Sequence, residues 1–305
     1  MIPRALLLTL TFTLGTALGF GPAQAASCGI FGLTVPNPQV LVALEKKAGC
    51  TFQHVRWFQD WNQPFNQEYA RLLSQKGRTL DLSWQPRYVS KGKLVGVPYR
   101  DIAAGKHDRF ITQFARDIKR GGKTVSISFA PEMNGDWGVY QLTSKNTPAH
   151  FKQAWKRIVH IFWREKAPVR WVWTPNILYP TALSSYRELY PGDGYVNEIG
   201  LDGYNWGTTN PWNRWKTFAQ TFDESYVAIK QITSKPMQLG ELSSVEKGGD
   251  KAQWILDACR QLPKYARVKK AFWFHINDGR VDWRLTTSLA SLQAFRRCAP
   301  GTALK

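Results

Sequence analysis

Short segments rich in β-branched and aromatic residues alternate with longer amphipathic segments along most of the chain. The segments predicted as strands are "IFGLTV", "TFQHVRWF", "TLDLSW", "TVSISF", "VRWVWTPN", "YVNEIGLDGYNW", "PMQLGELS" and "KAFWFHIND". Helices are predicted between most of them. In "NPQVLVALEKKAG" Asn37 is the expected N-cap, and in "HDRFITQFARDIKRGG" Phe110, Phe114 and Ile118 lie on one face.

The repeating strand-then-helix unit is about 35 residues long, and eight such units predict an α/β fold with a single (β/α)8 TIM barrel. We find no linker rich in Gly, Ser or Pro and no internal repeat. Residues 26–305 are therefore predicted to form one domain. A doubly wound open sheet is the alternative, but no glycine-rich phosphate loop follows the first strand.

Residues 1–25 have the pattern of an export signal. Arg4 gives a positive start, "ALLLTLTFTLGTALGF" is the apolar region, and "AQA" is a cleavage site ending at Ala25. No second apolar stretch is long enough to predict a transmembrane anchor. The mature protein is expected to be secreted, periplasmic or attached to the cell surface, and lipid attachment at Cys28 stays open.

Four cysteines in an exported chain predict two disulfides. Three pairings are possible, and proximity in sequence favours Cys28–Cys50 and Cys259–Cys298. The chain contains no Cys-x-x-Cys pair, and its five histidines lack metal-ligand spacing. We expect neither a metal nor a cofactor.

The net charge of +19 is spread along the chain and is not gathered in one block. A solvated basic surface explains such a distribution. Attraction to an anionic cell surface, polysaccharide or nucleic acid is the alternative. Because the charge is dispersed and no nucleic-acid motif occurs, we expect no nucleic-acid partner. The protein is expected to be a monomer.

Two glutamates are found where predicted strands end. Glu132 closes the fourth strand and Glu241 the seventh, and the 109 residues between them correspond to three units. In a barrel such side chains converge at the mouth, where a protonated and an ionised carboxyl group can cleave a glycosidic bond. Alone, either glutamate could be a salt-bridge partner or a loop cap. Asp60 and Asp202 are read as sugar-binding or loop-bracing acids.

The fourteen tryptophans also favour a carbohydrate site. Aromatic rings can stack on the flat faces of sugars, but they also fill ordinary cores. The aromatic residues placed near strand ends as substrate contacts are Trp57, Trp84, Trp137, Tyr204 and Trp273. Asn134 is expected to bind sugar hydroxyls beside them.

The motifs "EMNGDW", "WTPN", "YPGDGYVNEIGLDGYNW", "GELSS" and "GGDKAQW" resemble those of glycoside hydrolase family 26, the β-mannanase-like barrels. The resemblance runs from about residue 50 to 280. It implies retaining cleavage of a β-linked polysaccharide, with Glu132 as acid/base and Glu241 as nucleophile. It also implies that Trp137, Asp202, Tyr204 and Trp273 lie in the substrate site.

Two positions depart from the family pattern. The family usually has histidine directly before the acid/base glutamate and arginine four places before it, whereas this chain has Pro131 and Ser128. We predict that Arg56, at the end of the second strand, supplies the missing cation to Glu241, although it could instead pair with a surface acid. The substrate is left open between β-mannan, β-glucan, xylan and an anionic exopolysaccharide. The alternative to an endo-acting β-glycanase is a catalytically weak carbohydrate-binding barrel.

Overall fold

A computed structural model describes residues 26–144, 146–180 and 184–301, so the predicted export signal lies outside the described residues. The strands are β1 (Phe31–Thr34), β2 (His54–Asp60), β3 (Thr79–Gln85), β4 (Arg87–Ser90), β5 (Lys93–Gly96), β6 (Val125–Phe129), β7 (Val169–Trp173), β8 (Glu198–Asn205), β9 (Met237–Ser244) and β10 (Val268–Phe274). The α-helices are α1 (Pro38–Ala48), α2 (Gln67–Leu73), α3 (Tyr99–Ala103), α4 (Asp108–Gly121), α5 (Pro148–Glu165), α6 (Tyr186–Leu189), α7 (Phe218–Lys230), α8 (Lys251–Gln261) and α9 (Leu289–Cys298).

Eight parallel strands close into a barrel in the order β1-β10-β9-β8-β7-β6-β3-β2, which confirms the predicted TIM barrel. The strands β4 and β5 form a separate antiparallel hairpin, which the sequence analysis did not predict. Its turn residues Lys91 and Gly92 have φ values of 49° and 72°, as a two-residue hairpin turn requires.

Local signals explain where the helices begin and end. The side chain of Asn37 accepts a hydrogen bond from the Val40 amide at 3.0 Å, and Gly49 ends α1 with a φ of 73°. The helix α4 buries Phe114 and Ile118 against the barrel. The predicted caps and apolar face are therefore present.

Polar side chains fill much of the barrel interior. Gln238 of β9 donates to Asp81 of β3 at 2.9 Å, which joins strands on opposite sides of the barrel. The Lys270 ammonium lies 3.6 Å from Asp81 and 3.1 Å from Glu198. Outward side chains of the same strands, such as Leu82, are apolar and buried. The apolar core thus lies between the strands and the helices, whereas polar side chains occupy the interior of the barrel.

Two disulfides join the predicted pairs. Cys28–Cys50 links the segment before β1 to the segment after α1, with the Cα atoms 5.2 Å apart. Cys259–Cys298 links α8 to α9, with a Cα separation of 6.0 Å. Both separations lie in the normal range for disulfides. Across the described residues, no helix has the length and apolar character needed to cross a membrane.

Candidate active site

Glu132 lies in the loop that follows β6, three residues beyond the end of the strand. Its φ is 54° and that of Ala130 is 47°, so two non-glycine residues of this loop are left-handed. Such backbone costs about 1–3 kcal/mol per residue and is typical of functional sites. Hydrogen bonds hold the loop: the Glu132 amide donates to the Thr174 carbonyl at 2.8 Å, and the Ala130 amide donates to the Trp84 carbonyl at 2.9 Å.

Glu241 lies inside β9, three residues before its end, and not at the strand's last residue as the sequence suggested. The pairing with β8 shifts here, because Leu201 pairs with Leu239 and Asp202 pairs with Glu241. Gly240 is the extra residue of a β-bulge. A Cβ atom on Gly240 would lie 2.4 Å from the Asp202 carboxylate, so a larger residue here would displace that carboxylate.

Three side chains touch the two glutamates. The Trp137 indole donates to Glu132 Oε2 at 3.1 Å. The Tyr204 hydroxyl donates to Glu241 Oε2, and the Arg56 Nε atom lies 3.9 Å from Glu241 Oε1. Arg56 is therefore within salt-bridge reach of Glu241, as expected, and it is fully buried. Its role in the reaction stays a prediction.

The two carboxyl groups have different electrostatic surroundings. Loss of surrounding water, and then the charge of Glu241, raise the pKa of Glu132 to about 8. Loss of water also raises the pKa of Glu241, but the Arg56 guanidinium and the Tyr204 hydroxyl oppose the rise. Near neutral pH the arrangement can hold a proton on Glu132 while the partners of Glu241 favour its ionised form.

Asp202 is a buried residue of β8 and is paired with Glu241 of β9. Burial, followed by the charge of Glu241, raises its pKa well above the usual range, and Arg56 opposes the rise. Because its carboxylate is completely buried, Asp202 has no surface to offer a substrate. This corrects the prediction that Asp202 binds sugar directly.

Three of the predicted tryptophan contacts lie in the core. Trp57 packs against Phe65, and Trp84 is stacked on Phe114 with 4.4 Å between ring centroids. Trp273 faces α8, and its indole donates to the Trp283 carbonyl at 2.9 Å. All three side chains are buried behind the strands. This corrects the expectation that Trp57, Trp84 and Trp273 contact substrate.

Asn134 holds two loops together. Its amide group donates to the Asn176 carbonyl at 3.0 Å and accepts from the Asn176 amide at 2.8 Å. The Asn134 side chain is fully buried, so it positions the loop of Glu132 and does not reach a sugar hydroxyl. The prediction that Asn134 binds sugar hydroxyls is corrected in the same way.

The aromatic residues around the two glutamates are partly different from those predicted, and one of them, Trp283, is itself buried. Trp137 is 53% exposed and lies 5.5 Å from the ring of Tyr179. Near Glu241, the ring centroid of Tyr204 lies 5.6 Å from that of Phe274 and 4.8 Å from that of Trp283. Of these, the sequence analysis named Trp137 and Tyr204. Of the other three, Phe274 is the last residue of β10, where alternation along the strand could have indicated it. Tyr179 and Trp283 lie in the loops after β7 and β10, and alternation along a strand gives no signal for them.

The two departures from the expected motif have structural partners. The Ser128 hydroxyl faces the interior, 2.8 Å from the Thr174 hydroxyl. Pro131 is buried, and its carbonyl accepts a hydrogen bond from the Tyr140 hydroxyl at 3.0 Å. Neither position brings a charge to the glutamates. Among the described residues, no three His, Cys, Asp or Glu side chains are grouped as a metal site would need.

Comparison with known proteins gives a consistent result. Residues 102–244 match the family model described as Glycosyl hydrolase family 26. The chain is 34% identical over 271 residues to Endoglucanase H of Acetivibrio thermocellus, covering 86% of this chain and 29% of that protein. Over residues 102–244, the chain has the sequence of a member of glycosyl hydrolase family 26. It is also 33% identical over 88 residues to Mannan endo-1,4-beta-mannosidase of Bacillus subtilis, covering 26% of this chain and 24% of that protein.

A solved structure of a family 26 β-mannanase from Bacteroides ovatus shares the fold, with a TM-score of 0.67 and 13% identity over 93% of this chain and 90% of that chain. The chain spans less than a third of the length of the two relatives compared by sequence. The family 26 match contains Glu132, Asp202, Tyr204 and Glu241. Arg56 lies before the matched residues, so its place beside Glu241 is known from the geometry.

Proposed function

We propose that this protein is an exported, endo-acting, retaining β-glycanase in which Glu132 is the general acid/base and Glu241 is the nucleophile. The observation that carries the proposal is the unequal setting of the two carboxyl groups. Glu132, with a pKa raised to about 8, holds a proton near neutral pH, and Glu241 has Arg56 and Tyr204 to favour its charge. This division of roles is what double displacement at a sugar requires.

In the first step, Glu241 attacks the anomeric carbon as the glycosidic bond breaks, and Glu132 gives its proton to the leaving oxygen. A covalent glycosyl-enzyme ester forms. In the second step, Glu132 removes a proton from water, which attacks the same carbon and releases Glu241. Two inversions give net retention. The indole of Trp137 orients Glu132 through both steps by its hydrogen bond.

We propose a β-glucan as the first substrate class and β-mannan as the second. The relative that covers most of this chain is an endoglucanase, whereas the mannosidase match covers 26% of it. Ser128 and Pro131 replace the arginine and histidine of the mannanase-like pattern, which also favours a substrate other than mannan.

The proposed site of action is outside the cytoplasm. Residues 1–25 have the composition of an export signal, and the two disulfides suit an oxidising compartment. We propose that the mature barrel acts there as a monomer.

The test is release of reducing ends from mixed-linkage β-glucan, carboxymethylcellulose, galactomannan and xylan. The wild-type protein is compared with Glu132→Gln and Glu241→Gln, which keep the side-chain shape. Glu224→Gln, at an exposed position on α7, is the matched control. We expect either active-site substitution to reduce the rate by roughly 10²–10⁴-fold, and the control to retain wild-type activity.

Circular dichroism and thermal unfolding confirm that each variant is folded. Activity on none of the polymers by the folded wild-type protein would favour a carbohydrate-binding barrel instead. Substantial activity in both active-site variants would place the chemistry elsewhere.

A further inference from the structure

The connection between β8 and α7 forms a loop that projects from the catalytic end of the barrel. We call residues 206–216 the β8 loop. Both of its ends are tied to one side chain, because Asn205 Oδ1 accepts from the Gly207 amide at 3.2 Å and from the Lys216 amide at 3.0 Å. The amide of Asn205 is itself held by the Ser244 hydroxyl at 2.9 Å. Both ends of the loop are therefore anchored to Asn205, the residue next to Tyr204, at the edge of the candidate site.

The body of the β8 loop is braced against its surroundings. The Thr208 amide donates to the Lys247 carbonyl at 3.1 Å, in the connection between β9 and α8. Inside the loop, Arg214 donates to the carbonyls of Pro211 at 2.7 Å and Asn213 at 2.8 Å. A Cβ atom on Gly207 would lie 1.9 Å from the Lys247 carbonyl oxygen, so the loop is in close contact there. These contacts fix the loop before any ligand binds.

Trp212 is presented to solvent by this fixed loop. Its side chain is 77% exposed, the highest value among the large hydrophobic side chains of the described residues. An indole that is mostly exposed gains little from burial in the folded chain, whereas an aromatic anchor at a binding surface gains burial from its ligand.

The position of Trp212 connects it to the substrate cleft. It lies four residues from Lys216, so its Cα atom is within about 14 Å of the end of the loop that is anchored to Asn205. Trp206, the first residue of the β8 loop, is 37% exposed, and its ring centroid lies 4.7 Å from that of Trp283. Trp283 in turn contacts Tyr204, the hydrogen-bond partner of Glu241. Aromatic side chains are therefore in contact from Tyr204 through the buried Trp283 to Trp206 at the start of the β8 loop.

We propose that Trp212 is an outer platform for the β-glycan chain, binding a sugar unit several positions away from the bond that is cut. This inference rests on the proposed function, since it names an additional binding position of the same cleft. Trp212 contributes to binding of long chains and does not touch the reacting atoms.

The kinetic test compares Trp212→Ala with the wild-type protein on a β-glucan polymer and on a short chromogenic glycoside. We expect the ratio of kcat/KM on the polymer to kcat/KM on the glycoside to fall by roughly tenfold, the effect of removing one aromatic anchor. Trp212→Phe should restore most of the ratio. Trp163→Ala is the matched control, because Trp163 is 52% exposed on α5, outside the cleft. An unchanged ratio in Trp212→Ala, or an equal fall in Trp163→Ala, overturns the proposal.

A second measurement keeps the test independent of catalysis. In affinity electrophoresis through gels containing the polymer, Glu241→Gln protein should be retarded, and Glu241→Gln combined with Trp212→Ala should lose most of the retardation. If the wild-type protein cleaves no polymer, the proposed function is wrong, but this assay still shows whether Trp212 binds the polymer. Equal retardation of the two proteins, or retardation of neither, overturns the proposal.

Discussion

The Nε atom of Arg56 lies 3.9 Å from the Glu241 carboxylate, although their strands β2 and β9 are separated in the barrel by β10 and β1. The contact crosses the interior, and Arg56 is completely buried. Its charge opposes the rise in pKa of Glu241, Glu132 and Asp202. The barrel thus places one cation among three carboxyl groups, which would otherwise repel one another.

We predict that Arg56→Ala shifts the pH dependence of hydrolysis upward. Loss of the cation raises the pKa of Glu241, so the acid limb, where the nucleophile becomes protonated, moves to higher pH. The pKa of Glu132 rises too, which moves the alkaline limb in the same direction. We expect kcat to fall by about 10²-fold, with a smaller change in KM. The measurement is kcat and kcat/KM from about pH 4 to pH 10.

Two variants accompany this experiment. Arg56→Lys keeps the charge and should show a smaller shift. Arg116→Ala removes an arginine that pairs with Glu165 on the surface, and its pH profile should match that of the wild-type protein. Unshifted limbs in Arg56→Ala, or an effect confined to KM, would contradict the assigned role.

Trp137→Phe should affect the general acid in particular. The hydrogen bond from the indole lowers the pKa of Glu132, so its loss raises that pKa further. The protonated form then persists to higher pH, and the alkaline limb of the pH profile moves upward. Without the orienting hydrogen bond, kcat should fall by roughly tenfold, which corresponds to an activation free energy higher by about 1.4 kcal/mol. A pH titration of initial rates measures both effects.

Trp84→Phe is the informative contrast, since Trp84 is stacked in the core on Phe114 and Trp61. It should lower the melting temperature and leave the pH profile unchanged. If Trp84→Phe shifted the pH profile as Trp137→Phe does, the separation of core and site tryptophans would be wrong.

The two disulfides should each stabilise the fold. Replacing both cysteines of a pair by serine is expected to cost about 2–4 kcal/mol in free energy of unfolding. In the chain-entropy account, the pair Cys259–Cys298, with a sequence separation of 39, contributes more than Cys28–Cys50, with 22. Urea unfolding gives the energies, and non-reducing peptide mapping gives the pairing. Peptides joining Cys28 to Cys298, or a lipidated Cys28, would refute the assignment.

The fold was predictable because the strand and helix pattern repeats at nearly constant length. Glu132 was found because active-site residues of such barrels lie where strands end. The assignment of Trp57 and Trp273 to the substrate site was wrong because it ignored the alternation of side chains along each strand. Side chains alternate between the two faces of a strand, so Trp57 must face the helices once its neighbour Arg56 faces the interior. The same alternation places Trp273 in the core and Phe274 at the site. Polar neighbours in sequence therefore do not show which face a tryptophan takes.

Glu241 could not have been placed by alternation alone. Gln238 and Gly240 both point into the barrel, so regular alternation would turn Glu241 outward. The bulge at Gly240 inserts one residue and turns Glu241 inward, where Tyr204 and Arg56 contact it. A bulge depends on pairing between β8 and β9, which a single sequence does not display.

The most direct test of the two-glutamate mechanism is the anomeric configuration of the first product. Proton NMR during hydrolysis of a β-glucan by the wild-type protein follows the new reducing end before it mutarotates. Retention by Glu132 and Glu241, whose carboxyl groups should lie about 5–5.5 Å apart, predicts that the β-anomer appears first and the α-anomer later. Initial release of the α-anomer would show inversion and would contradict the assignment of Glu241 as nucleophile.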